Sequence, residues 1–234
     1  MIKEELVRHS PIRLFEASIL GGLAPGEMGI IASPRGVGKT SVLVQLALDR
    51  MLQGRKVIHI SFATHLQNVF KWYDDIFEEF VRGRELEGKD EVKDGIAGNR
   101  VLLNFNQAGM TLAMVTNSLR AIIVDGGFAA DTVIVDGFDF SATNSGFLSG
   151  VKCFAGESGL SIWCNCTVNG GEPRYDANKM PTVVAGFADL IDVAVVLEAM
   201  EDHVELSVSK NRKNPPGGSR AMRLDPATLL ILEN

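Results

Sequence analysis

Cysteine is scarce in this chain, with three among 234 residues. That scarcity excludes a disulfide framework and points to a reducing compartment, so a cytoplasmic location is expected. Basic excess is missing too: 23 Lys and Arg stand against 29 Asp and Glu, a formal net charge of −6. Such a balance argues against broad nonspecific attraction to nucleic acid, leaving only a local basic patch open. No apolar run reaches the roughly 18 residues that a membrane span needs. The first residues, MIKEELVRHSPIR, mix charges and lack the apolar stretch of a secretion signal. Repeats and low-complexity tracts are absent from the sequence as well.

What is present reads as alternating strand and helix. At 46% hydrophobic and 22% charged the chain has globular composition. Its length suits one domain, residues 1–234, with 1–13 as a short N-terminal segment. EMGIIAS (27–33), RKVIHISF (55–62), NRVLLNF (99–105), DTVIVDGFD (131–139) and LSIWCNCTV (160–168) are short apolar runs predicted as strands. TSVLVQLALDRMLQG (40–54) is apolar almost all round, a buried helix that Gly54 stops. In residues 66–83, Trp72, Ile76 and Phe80 recur every fourth position beside Tyr73, Phe77 and Val81, which predicts one core-facing helical side. A further helix is expected over 112–124, and 82–99 reads as a charged turn with a short helix. Residues 169–181 are polar and loop-like, and 192–200, 203–210 and 220–232 read as closing strands. This order implies a mainly parallel sheet covered on both faces, with ligands at the carboxyl ends of its strands.

One loop lies at such an end. SPRGVGKTS places Ser33, Pro34, Arg35, Gly36, Val37, Gly38, Lys39, Thr40 and Ser41 between a strand and a helix. The spacing is that of a phosphate loop, G-x-x-x-x-G-K-[ST], with Ser33 in place of the first Gly. Backbone N–H groups and the helix dipole favour an anion there. Lys39 is expected to reach the distal phosphates and the Thr40 hydroxyl to ligate Mg²⁺. Gly36 and Gly38 permit the unusual dihedrals such a loop needs. A carboxylate at the end of another apolar strand should hold a water of the Mg²⁺ shell: Asp136 fits, and Asp139 in the following loop is the weaker candidate. Arg35 is a second cation available to phosphate or to a neighbouring subunit. Cys164 and Cys166 alternate on one strand face and read as small core residues rather than metal ligands.

The stretch ILGGLAPGEMGIIASPRGVGKTSVLVQLA resembles the entry to RecA/KaiC-like ATPases. GRKVIHISF resembles their second strand, TVIVDGFDF their Walker B strand, and FADLIDVAVVLE their penultimate core strand. SVSKNRKNPPGGSRAMRLDPAT resembles their C-terminal hairpin with its K-x-R element. The resemblance spans about residues 14–232. It implies a RecA-like P-loop fold with a C-terminal antiparallel hairpin, bound ATP and Mg²⁺, and a homo-oligomer such as a hexamer with a further protein partner. It also implies that Lys210 and Arg212 reach a phosphate bound by the adjacent subunit; the alternative is a solvated basic strand edge. Asn165 or Thr167 would sense the terminal phosphate.

One feature of that family is missing. Its active members place a Glu just after the second strand, and here the run is Ser61-Phe62-Ala63-Thr64-His65. Ala63 cannot accept a proton, and general-base help is worth about 10²–10⁴ in rate. His65, displaced by two residues, is the substitute base or merely a surface residue. The expectation is an ATP-binding regulatory or assembly protein with weak or absent hydrolysis. The alternatives are an active ATPase completed by a neighbour's Lys210 and Arg212, with His65 or Glu78 as base, or a DNA recombination or repair motor. For the motor, loop 169–181 offers only Arg174 and Lys179 as cations.

Overall fold

The computed structural model describes residues 2–62, 64, 66–82, 88–168, 174–212 and 222–233. Among them the strands form one nine-stranded sheet. In chain order they are β1 (Met28–Ser33), β2 (Lys56–Ser61), β3 (Arg100–Asn104), β4 (Ala130–Asp136), β5 (Ser161–Thr167), β6 (Val193–Ala199), β7 (Val204–Asn211), β8 (Met222–Leu224) and β9 (Ile231–Glu233). Across the sheet the order is β3-β2-β4-β5-β1-β6-β7-β8-β9. Neighbours from β3 to β6 run parallel. From β6 onward the pairing is antiparallel.

Helices cover both faces. They are α1 (Ile2–Arg8), α2 (Ile12–Ser18), α3 (Lys39–Leu52), α4 (Gln67–Val81), α5 (Lys89–Ala97), α6 (Leu112–Arg120) and α7 (Ser145–Glu157). The side-chain alternation of the strands divides the core in two. Ile31, Val193, Val195 and Leu197 face α3 and α4, whereas Ile30, Ala32, Ala194 and Val196 face the layer holding α6 and α7. Both sides of β1 and β6 are therefore buried, which is why these strands read as continuous apolar runs.

Three elements differ from the sequence expectation. The helix predicted over 112–124 ends as α6 at Arg120 and widens into a π turn, Ala121–Asp125, closed by Gly126 N donating to Ala121 O at 2.8 Å. Residues 220–232 do not form one strand: β8 and β9 flank a turn in which Asp225 N donates to Leu230 O at 3.0 Å, and Pro226 supplies no N–H. The third is α7, which carries Gly146, Gly150 and Gly156. Its start is capped by the Asn144 side chain, which accepts from Phe147 N at 3.0 Å. A Cβ at Gly150 would run into Leu112, so that glycine sets how closely α7 lies on α6. No helix among the described residues is long and apolar enough to cross a membrane.

Candidate functional site

The carboxyl ends of β1, β2, β4 and β5 converge, with Ser33 registered against Thr167 and Ser61 against Asp136. β1 ends at Ser33, and residues 34–38 turn the chain directly into α3. Gly36 at φ 85° and Gly38 at φ 113° adopt the left-handed backbone that only glycine takes without strain. Gly38 is tightly placed as well, since a Cβ there would strike Leu224. Ser33, standing where the pattern has its first Gly, is absent from the left-handed region and completes the β1 ladder. Its hydroxyl donates to Pro34 O at 2.9 Å. Val37 packs on the first core, and the Ser41 hydroxyl turns back to Gly38 O at 2.7 Å.

Lys39 is only 6% exposed. Its Nζ donates to Ser33 O at 3.0 Å, Ser33 Oγ at 3.2 Å and Pro34 O at 2.7 Å, so the ammonium group reaches back across the loop. Burial lowers its proton affinity; Cys166 and Asp136 pull the other way, and the charge of Arg35 lowers it further. Arg35 and Gly36 are exposed at the rim.

The Thr40 hydroxyl donates to Asp136, at 3.1 Å to Oδ1 and 3.3 Å to Oδ2. Asn165 Nδ2 also donates to Asp136 Oδ1, while Asn165 Oδ1 accepts from Gly137 N at 2.8 Å. Burial raises the Asp136 carboxyl above its ordinary value, against the hydrogen bonds from Thr40 and Asn165 and the charge of Lys39. A hydroxyl and a carboxylate one hydrogen bond apart are hard oxygen donors of the kind Mg²⁺ takes. Because the Thr40 proton points at Asp136, the hydroxyl lone pairs remain for a cation. The residues present fit the metal the sequence calls for.

These groups line a cleft of about 780 Å³. No protein-family model matches the chain, and no curated protein matches it. The site therefore has to be read from its own chemistry. Thr64, Asn68 and Trp72 form the wall nearest α4, with Leu229 also in the lining. Trp72 is a residue that periodicity alone misplaces: it packs half-buried on the core and also faces the cleft. Leu229 gave no signal in the sequence, because its place depends on the turn between β8 and β9. Phe62 and Phe138 meet edge-to-face at 5.5 Å and divide the cleft from an apolar cavity beneath α6 and α7.

The structure does not bring Lys210 and Arg212 to this cleft. β7 runs antiparallel to β6, which sets Asn211 opposite Val193, and Val193 is registered with Gly29 near the start of β1. Both basic residues thus lie at the end of the sheet opposite residues 34–38. Lys210 Nζ donates to Ala188 O at 2.7 Å. Arg212 lies just past the end of β7, with φ 54°. Its guanidinium forks onto Glu27, with Nε to Oε1 and Nη2 to Oε2 both at 2.7 Å, and also reaches Ile19 O, Gly22 O and Asn211 Oδ1. Arg212 is thus engaged within its own chain rather than lying on a solvated strand edge.

Ala63 and His65 lie outside the described residues. Glu78 is on the outer side of α4, 3.5 Å from Lys89 and 3.6 Å from Lys93, and it does not line the cleft. Asp139 does, but its Oδ1 accepts from Ser141 N at 2.9 Å and Ser141 Oγ at 2.6 Å. Cys164 and Cys166 are buried in the second core, and burial pushes the Cys166 thiol up to about 12 despite the nearby Lys39 charge. That thiol is no nucleophile at neutral pH. Lys179 is paired with Glu198 at 2.8 Å.

Proposed function

We propose that the chain binds a nucleoside triphosphate with Mg²⁺ in the cleft above β1, as a P-loop protein of RecA/KaiC-like type, and turns it over slowly or not at all. The observation that carries this reading is the hydrogen bond between Thr40 and Asp136, 96 residues apart in the chain, in a cleft that Lys39 lines as well. In this reading the backbone N–H groups of the loop receive the phosphates. Lys39 exchanges its carbonyl partners Ser33 and Pro34 for phosphate oxygens. Thr40 and Asp136 hold Mg²⁺, which supplies charge neutralisation along the phosphates.

In this reading slow turnover follows from the want of an uncommitted carboxylate among the described residues of the cleft. The carboxylates lining the cleft among the described residues are Asp136, committed to Thr40 and Asn165, and Asp139, committed to Ser141. The sequence puts Ala63 where the resemblance places a Glu.

Thermal unfolding with a panel of nucleotides tests the binding. A ligand at 100 times its dissociation constant adds about 2.7 kcal/mol, which for a chain of this size raises the midpoint by about 5–10 °C. ATP with Mg²⁺ is expected to give that shift in the unaltered chain and none in Lys39→Ala. Equal midpoints with and without every nucleotide would end the proposal.

A further inference from the structure

Arg35 is the one cation of the phosphate loop besides Lys39. It is exposed, lines the cleft, and takes part in no hydrogen bond or ion pair with the described residues. It differs in this from Arg212, whose fork is filled by Glu27 and backbone carbonyls. Arg35 and Lys39 line the same cleft. Two cations thus face one space, and Lys39 settles its charge on carbonyl oxygens of Ser33 and Pro34. An anion between two such cations would be attracted by both.

The position along the loop says which part of an anion. The N-terminus of α3 begins at Lys39, but the Lys39 ammonium group reaches back to Ser33 and Pro34, marking the end of the cradle remote from the helix. Arg35 follows Pro34 directly, at that same remote end. Building on the nucleotide reading, we infer that Arg35 holds the terminal phosphate in cis and makes the site prefer a triphosphate over a diphosphate. The planar guanidinium can grip two phosphate oxygens at once, which a lysine cannot. The loop thereby carries its own arginine, and Arg212 stays in its clamp.

Calorimetric titration of the whole chain decides the matter, with the non-hydrolysable β,γ-imido triphosphate, ADP and inorganic tripolyphosphate as probes, each with Mg²⁺. The unaltered chain is expected to bind the imido triphosphate and tripolyphosphate more tightly than ADP. Arg35→Ala should weaken both by about 10- to 100-fold, the loss of a charge-assisted hydrogen bond, and weaken ADP by less than about threefold. Arg35→Lys should recover part of the loss. Equal weakening of triphosphate and diphosphate, or no change in either, overturns the inference while leaving nucleotide binding intact. An unaltered chain that binds none of the probes removes the nucleotide reading itself. Arg35 has no partner among the described residues to lose, so unchanged melting of the ligand-free variants separates these outcomes from misfolding.

Discussion

Asp136 sits where its own charge is unwelcome. Burial raises its proton affinity in the folded chain, and the donors Thr40 and Asn165 together with Lys39 offset this only in part. Between the ordinary carboxylate value and the raised native one, the folded chain holds a proton that the unfolded chain has released. Stability therefore falls as pH rises through that window. Asp136→Asn removes the ionisation. Without ligand, the variant is expected to melt higher than the unaltered chain at pH 7. The difference should close as pH is lowered below the ordinary carboxylate range. The same variant should lose the Mg²⁺-dependent part of nucleotide stabilisation. A variant that melts lower at pH 7 would contradict the assignment, and calorimetry across pH 3–8 reads both outcomes. That Lys39, Thr40 and Asp136 line one cleft could be anticipated from the sequence because the cues are local: a loop of fixed spacing, and an acid closing an apolar strand. The placement of Arg212 could not, because its direction is set by a single backbone torsion and by Glu27, 185 residues away.

The clamp between Arg212 and Glu27 ties the segment after α2 to the end of β7. Glu27 loses proton affinity overall: its burial, which acts to raise it, is outweighed by the hydrogen bond and charge of Arg212, the Ala24 N–H and the charge of Lys152. The clamp's stabilisation is therefore complete above the ordinary carboxylate value and declines as pH falls toward the depressed one. Arg212→Ala is expected to cost about 2 kcal/mol at pH 7, since it strands a half-buried carboxylate and frees two backbone carbonyls. The cost should shrink in acid. Nucleotide affinity should be unaffected, because the clamp lies at the far end of the sheet; a matching loss of affinity in dilute, monomeric protein would count against this placement. Secondary structure was readable where its period was clear, as in α4, whose buried Val69, Tyr73, Ile76, Phe77 and Phe80 follow the expected face. It was obscured in α7, where three glycines dilute the helical signal, although Gly150 is there for the sake of Leu112. The seven residues each of α1 and α2 are too few to display a period.

At the scale of the molecule, the cleft is open on the side of Arg35 and Gly36, and its lining contains no cation beyond Arg35 and Lys39 among the described residues. The assembly role expected from the family resemblance would mean that nucleotide stabilises contact between copies. Light scattering after size exclusion should show a larger species with ATP and Mg²⁺ than without, and Lys39→Ala should remain at the smaller mass in both. An unchanged monomer throughout would end the assembly claim and leave binding standing. The parallel part of the sheet was foreseeable from alternating strands and helices. The order of β7, β8 and β9 along its edge was not, since it depends on pairings that no short-range pattern encodes.

Gln45 joins these scales. Buried in α3, it gives its Nε2–H to Leu229 O at 2.8 Å and accepts from Ile231 N at 3.0 Å. One side chain thus rivets the helix that springs from Lys39 to the outermost strand of the antiparallel rim. A tilt of that helix by a fraction of a turn cannot stay private to the loop; it drags Leu229 and the exposed margin of the sheet along with it.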